Sequence, residues 1–306
     1  MSTALFQALV SGLAVGGVYA LIALGFSITY TTTRTLNFAQ GEMVTAGIFT
    51  WIGGLLWLLG RPLSVTATFA DAPLWLVVVA ALGATLLMGV LGALLYLLAI
   101  RPFAGKASMS WVVSTIGFGI ILQSAGLTVW GAGTFVVPSP FGDKLIRIMG
   151  TGVRPQELLV FVVSLAVMIA IDWTIRRTTL GKVMRAVAQN KQVASLMGIN
   201  VAHVMMGAFF LSSALAGLSG ILIAPIATAS MFMGFSFGLK GFCAAMIGGL
   251  SNARGCAAGG FMLGLLEAYV NLWQAQWREI VVFGLVIVVL ACRPSGLFGK
   301  TLVEKT

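Results

Sequence analysis

Few side chains in this sequence could do chemistry, and most of those stand where lipid is expected. Asn37, Gln40 and Glu42 fall close together at the start of a glycine-broken apolar run, and Glu267 sits in the middle of another. Ionisable groups inside a membrane are costly and mark transport paths by default. Those four residues are therefore the candidates for a translocation path, although for Glu42 the favoured reading is that it caps the helix it opens. Asp172 lies four residues before Arg176 on one helical face, where a local ion pair accounts for it. His203 is the only histidine and has no cysteine or carboxylate at ligand spacing, so no metal site is expected. Cys243, Cys256 and Cys292 lie in apolar stretches without a CxxC spacing and read as small hydrophobes. The Gly-Lys-Thr at 299–301 fails as a phosphate-cradling loop, because the glycine needed five residues ahead of Gly299 is Pro294. No catalytic residue and no bound cofactor are expected, and the chain cannot be its own ATPase.

The other group with chemical character is basic. Residues 180–200 read LGKVMRAVAQNKQVASLMGIN, carry Lys182, Arg185 and Lys191, and follow directly on Arg176 and Arg177. Val183 and Val187 share a helical face, as do Ala194 and Met197. Gln189, Asn190 and Gln192 would tolerate a bend between them, and Gly198 suits a helix terminus. The pattern predicts two short helices on the membrane surface. One reading is an interfacial segment held by anionic membrane lipid. The other is a docking element for a cytoplasmic partner, which the length favours, since helix connections in bundles usually take about 2–8 residues.

The elements that must position these residues follow from composition. The chain has 306 residues, of which 59% are hydrophobic and 8% charged, against about 25% charged in a soluble domain. That identifies an all-α, polytopic membrane helix bundle, read as one domain over 1–306 with the basic segment at 176–200. Apolar runs at 5–30, 74–100, 111–130, 158–175, 201–224, 256–273 and 280–292 read as spans. Segments 41–60 and 233–250 are less regular, being broken by glycines and holding Glu42 and Lys240. The expectation is 8–10 transmembrane segments, some broken or short. The net charge of +10 is scattered among connections, which excludes nucleic acid as a partner.

Basic residues collect on the cytoplasmic side of membranes. Placing 176–191 there puts Arg34, Arg101, Lys106, Arg254, Arg293, Lys300 and Lys305 inside as well, with nine crossings, the N-terminus outside and the C-terminus cytoplasmic. The connection 131–155 opposes the rule, with Lys144, Arg147 and Arg154 beside Asp143. Gly12/Gly16, Gly255/Gly259 and Gly260/Gly264 have the spacing that permits close helix packing, within the subunit or against a second one. Trp111, Trp130 and Trp173 fall near predicted span ends and read as interfacial anchors.

Several stretches together resemble one family. The 180–200 segment is similar to the coupling region of LivH-type permeases, the membrane subunits of branched-chain amino acid ABC importers. The matching positions are Gly181, Arg185, Ala186, Ala194, Gly198 and Ile199. GLAVGGVYALIALGFSITYTTTRTLNFAQGEM (12–43), SALAGLSGIL (213–222), AAMIGGL (244–250), GLLEA (264–268) and RPSGLFG (293–299) extend the resemblance over nearly the whole chain. It departs from the family at SNARG (251–255) and at Gln189-Asn190-Lys191.

The resemblance implies an importer permease of the bacterial inner membrane working by alternating access. Its implied partners are a second, LivM-like permease, two cytoplasmic ABC ATPases that bind ATP and Mg, and a periplasmic substrate-binding protein. Gly181, Arg185, Ala186, Asn190, Ala194, Met197 and Gly198 would then couple to the ATPases. Related permeases serve branched-chain amino acids, urea or short amides, or small carboxylates. The competing reading is an ion-gradient-driven secondary transporter, with Glu42 and Glu267 as its coupling acids.

Overall fold

Hydrocarbon offers no partner for a backbone N–H, so apolar runs of this length close their hydrogen bonds internally as helices. The computed structural model, which describes residues 2–61, 72–103, 109–142, 145–148 and 151–299, is built of them. Lys106, Asp143, Lys144, Lys300 and Lys305 lie outside the described residues. The order is α1 (Ser2–Thr33), α2 (Gln40–Leu58), α3 (Leu74–Leu95) and α4 (Ser110–Trp130), then a hairpin of β1 (Ile146–Ile148) and β2 (Thr151–Val153). Next come α5 (Pro155–Arg177), α6 (Thr179–Gln189), α7 (Lys191–Leu196) and α8 (Val201–Ile223). The short α9 (Met233–Gly248), α10 (Ala253–Trp273) and α11 (Arg278–Cys292) complete it.

Among the described residues, eight helical stretches are long and apolar enough to cross a membrane. Segment 41–60, irregular in sequence, forms the full-length α2, while 233–250 forms only the 16-residue α9. At 1.5 Å per residue α9 is about 24 Å long, short of the roughly 30 Å hydrocarbon core. A 3-10 turn at Ala275–Trp277 extends the last span to Ala275–Cys292.

Long-range hydrogen bonds sort the bundle into two ends. At one, Lys191 Nζ donates to the Thr33 carbonyl at 2.9 Å, Ser27 Oγ to the Leu250 carbonyl at 2.9 Å and Asn252 Nδ2 to the Phe298 carbonyl at 3.1 Å. This end also holds α6 and α7. At the other, Phe135 and Ala229 form an antiparallel bridge, and Phe49 packs edge-on against Phe135.

Two helices begin inside the bundle rather than at either end. Gln40, the first residue of α2, donates through Nε2 to the carbonyl of Ser212, eleven residues into α8. That depth is about 16 Å from the start of α8. Gly41 lies directly against Gly234 and Gly238 of α9, so the first turns of α2 and α9 meet there. The chain therefore dips inward over 34–39 before α2 can rise.

The centre is the α1–α10 seam. Gly12 faces Gly264, Leu265 and Ala268, Gly16 faces Gly260 and Phe261, and Gly260 faces Ala20, an antiparallel register without side chains between the backbones. The small-residue spacing seen in sequence is thus used within the subunit. Gly255 and Gly259 pack likewise on Gly248 and Ala244 of α9. Of the three tryptophans read as anchors, Trp173 is exposed, Trp111 stacks on Phe38 with ring centroids 6.3 Å apart, and Trp130 packs between Phe49 and Phe135.

Candidate functional site

The Asn37–Glu42 candidates divide into two kinds. Asn37 and Gln40 are fully buried and bonded to each other and to the chain. Asn37 Oδ1 accepts from the Ala39 N–H at 3.1 Å, and its Nδ2 donates to Gln40 Oε1 at 3.1 Å. Ser212 Oγ donates to the same Gln40 oxygen at 3.1 Å. These amides latch the inward dip to α8. Glu42 behaves differently. It lies in the first turn of α2, at the positive end of the helix dipole as the capping reading expects, and its Oε2 is buried with no hydrogen-bond partner among the described residues.

Glu42 faces a cavity of about 230 Å³ between α2, α3 and α4, lined with Thr45, Phe49, Met88, Gln123 and Met231 among others. Thr45, 2% exposed, also lines it, but its unpartnered Oγ1 is buried against Gly234 of α9. Gln123 donates to the Met231 carbonyl at 3.3 Å and so ties α4 to the turn before α9. Buried polar atoms are normally paired, and leaving one unpaired costs about 1–3 kcal/mol. Glu42 is the acidic side chain among the residues that line this cavity.

Glu267 is not a lone acid. Its Oε1 lies 2.8 Å from Lys240 Nζ and 3.3 Å from Arg278 Nε, and its Oε2 accepts from Tyr19 Oη at 2.7 Å. Lys240 also pairs with Glu279 at 2.8 Å, and Arg278 with Glu279 at 3.3 Å. Two cations and two anions from α9, α10 and α11 thus balance, with Tyr19 of α1 attached. Such an arrangement joins four helices and has no free charge to couple to an ion.

At the α6/α7 end the two short helices form with their break at Asn190. Its Oδ1 accepts from the N–H groups of Gln192 at 2.9 Å and Val193 at 3.1 Å, capping α7. Gly198 adopts φ +81°, the left-handed stop expected of it. Gly181 is buried against the backbone of Ile175, where a side chain would push α6 off α5. Ala194 is buried and Ala186 partly so. Arg185 is exposed, as are Leu196 (87%) and Met197 (78%). Lys191 tucks its amine against Thr33; burial first, and then the Arg34 charge, hold that amine below the usual lysine range.

A family model described as branched-chain amino acid transport system, permease component, matches residues 8–290. The chain belongs to this family. BraD, the permease protein of a high-affinity branched-chain amino acid transport system in Pseudomonas aeruginosa, is 31% identical over 98% of this chain and 97% of its own length. LivH of Escherichia coli, named likewise, is 29% identical over the same shares of the two chains. RbsC, a ribose import permease of Haemophilus influenzae, is 25% identical over 85% of this chain and 80% of its own.

The chain is therefore a membrane permease of the ABC-transporter class, a transport component and not an enzyme. Nothing in these similarities favours an ion-gradient carrier. Sequence reading of the permease found Glu42 and Glu267 but missed their surroundings. Thr45 and Gln123 look ordinary in apolar runs, and Lys240 lies 27 residues from the acid it neutralises. The one available signal was that two opposite charges, each alone in an apolar run, can lower their cost by meeting. The local Asp172–Arg176 pair forms at 2.9 Å as expected, and Arg254 of α10 joins it at 2.8 Å.

Proposed function

We propose that this permease moves branched-chain amino acids, or a closely related small amino acid, inward across the bacterial inner membrane. It does so as half of a heterodimer with a second, LivM-like permease, driven by two cytoplasmic ATPases and supplied by a periplasmic binding protein. The observation that carries the reading is the match of nearly the whole chain, 8–290, to permease components of that description. The likeness to a ribose permease fits a shared scaffold whose cargo is set locally.

The Glu42 cavity suits such a cargo. Its 230 Å³ lies below the roughly 300–1,000 Å³ of drug-sized sites, on the scale of one small amino acid. Glu42 offers a carboxylate to an ammonium group, while Phe49, Met88 and Met231 surround an aliphatic side chain. Alternating access requires the path to open to each side in turn. The short α9 and the buried start of α2, which meet at Gly41, are the elements whose displacement would reshape the cavity. Exposed Arg185, Leu196 and Met197 give the ATPases a surface through which to push, and Asn190 keeps α6 and α7 as separate helices.

The test is purification of the full chain from its native membrane in mild detergent, with uptake measured after reconstitution. A second permease and two ATPases are expected to accompany it, and to be lost when Arg185→Glu and Met197→Glu are combined. Glu42→Gln is expected to lower leucine uptake at least tenfold while assembly is unchanged. Recovery of the chain alone, with uptake that follows a proton or sodium gradient and ignores ATP, would overturn the reading.

A further inference from the structure

Two neighbouring cavities at the α6/α7 end form one groove. The first, about 580 Å³, is lined by Asp172, Arg176 and Arg177 of α5, Arg185 of α6 and Arg254 of α10, with Ile169 and Trp173 at its edge. The second, about 480 Å³, is apolar over most of its length and runs between α5 and α10 past Leu165, Met168, Ala257, Ala258 and Phe261. Both include Ile169, Asp172 and Arg254, so one continues into the other.

The cationic part is unbalanced. Four guanidinium groups from three helices surround one carboxylate, and that carboxylate is already shared. Asp172 Oδ1 accepts from Arg176 Nε at 2.9 Å and Arg254 Nε at 3.0 Å, and Oδ2 lies 2.8 Å from the Arg254 terminal nitrogen. Arg177 and Arg185 have no carboxylate partner among the described residues. The cytoplasmic bias accounts for bases at this end, but not for four guanidinium groups from three helices lining one groove, an arrangement suited to an anion.

The apolar part says which kind of anion. Leu165, Ile169 and Trp173 form one helical stripe along α5, 39%, 61% and 61% exposed, and make the open wall. Ala257 and Ala258 recess the facing wall of α10, and buried Leu24 of α1 and Met168 form the floor. From Arg254 to Phe261 the trough runs about 10 Å along α10. A free phosphate or nucleotide would use the arginines and leave this trough unused. A molecule with a phosphate at one end and a hydrocarbon chain at the other fills both.

We propose that this groove is a binding site for an anionic phospholipid, its phosphate held by Arg177, Arg185 and Arg254 and one acyl chain laid between α5 and α10. Basic pockets between transmembrane helices are suited to such headgroups. The site requires the chain to sit in a bilayer and does not depend on the cargo or on the importer reading. Because α5 leads directly into α6, a lipid seated there would brace the junction on which α6 bears.

Native mass spectrometry of the full chain, purified with its bound subunits, tests this by titration with dioleoyl phosphatidylglycerol, dioleoyl phosphatidylcholine or inorganic phosphate. One phosphatidylglycerol should be retained at least tenfold more strongly than phosphatidylcholine. Arg177→Gln, which leaves the ATPase-facing Arg185 in place, should weaken that retention roughly 5-fold. Ala258→Phe, which fills the trough and leaves every charge in place, should weaken it as well. Equal retention of both lipids overturns the proposal. So does inorganic phosphate that competes as well as the lipid, since the trough would then be irrelevant. Retention by the isolated chain but not by the intact complex would give the groove to a neighbouring subunit and overturn it too.

Discussion

At the residue scale, burial with or without a partner distinguishes Glu267 from Glu42. Glu267 and Glu42 look alike in sequence, each a carboxylate in an apolar run. In the fold, Glu267 is 8% exposed and held by Lys240, Arg278 and Tyr19, whereas Glu42 has a buried oxygen that nothing satisfies. Breaking a buried pair by removing one partner costs about 3–5 kcal/mol, because the other charge is stranded. Lys240→Met is therefore expected to destabilise the permease by about that much. Adding Glu267→Leu to Lys240→Met should recover part of the loss, even though Glu279 and Arg278 are left to pair only with each other. Thermal unfolding in detergent of the single and double variants measures this, and a double variant less stable than either single one would show that the cluster does not act as a unit. Glu42→Gln, by contrast, should leave thermal stability unchanged or raised, since no pairing is lost.

At the scale of the element, what was legible followed from local pattern. The pairing of Val183 with Val187 and of Ala194 with Met197, with polar residues between, specified two short helices. They formed, with Asn190 at the break as the α7 cap. Replacing that cap with alanine should cost about 1 kcal/mol of local helix stability, seen as faster amide hydrogen exchange over 191–197 and no change in α5. The glycine spacing was legible too, but the face it served was not. The same four-residue interval fits packing inside one subunit or between two, and only the register of Gly16 and Gly264 decides for the α1–α10 seam. Any side chain at Gly264 would enter the backbone of Gly16. Gly264→Leu should therefore force the helices apart, costing upward of about 1–3 kcal/mol. Gly284→Ala in α11, where a Cβ meets nothing within 4 Å, is the control and should melt no lower than the parent. The interior starts of α2 and α9 were the least legible elements. They depend on a hydrogen bond from Gln40 to Ser212 across 172 residues, which no local period encodes.

For the whole molecule, the open question in sequence was the parity of crossings, and it turned on α9. The fold links Ala229 to Phe135 at one end and Leu250 to Ser27 at the other, so the stretch between them traverses the bundle although its helix has only 16 residues. With that traverse, Arg34, Arg101, Arg254, Arg293 and the five bases of 176–191 share one end, where Asp172 is the one acid among the described residues. Arg147 and Arg154, the exceptions in sequence, share the other end with Glu157 and the balanced Lys240 cluster. A charge gradient of that sign predicts that the α6/α7 end lies in the cytoplasm, and the orientation can be tested without any transport assay. Cys243 and Cys256 are buried and Cys292 is exposed, so Cys292→Ser gives a background with no reactive thiol. On it, Val136→Cys, at a position 84% exposed, should react with a membrane-impermeant maleimide in intact cells. Met197→Cys, at a position 78% exposed, should react only after the cells are opened. The reverse pattern would turn the molecule over, setting nine bases against the rule that governs short loops and removing the α6–α7 surface from any cytoplasmic ATPase. Labelling of both sites from outside would mean that α5, the one candidate span between them, does not cross.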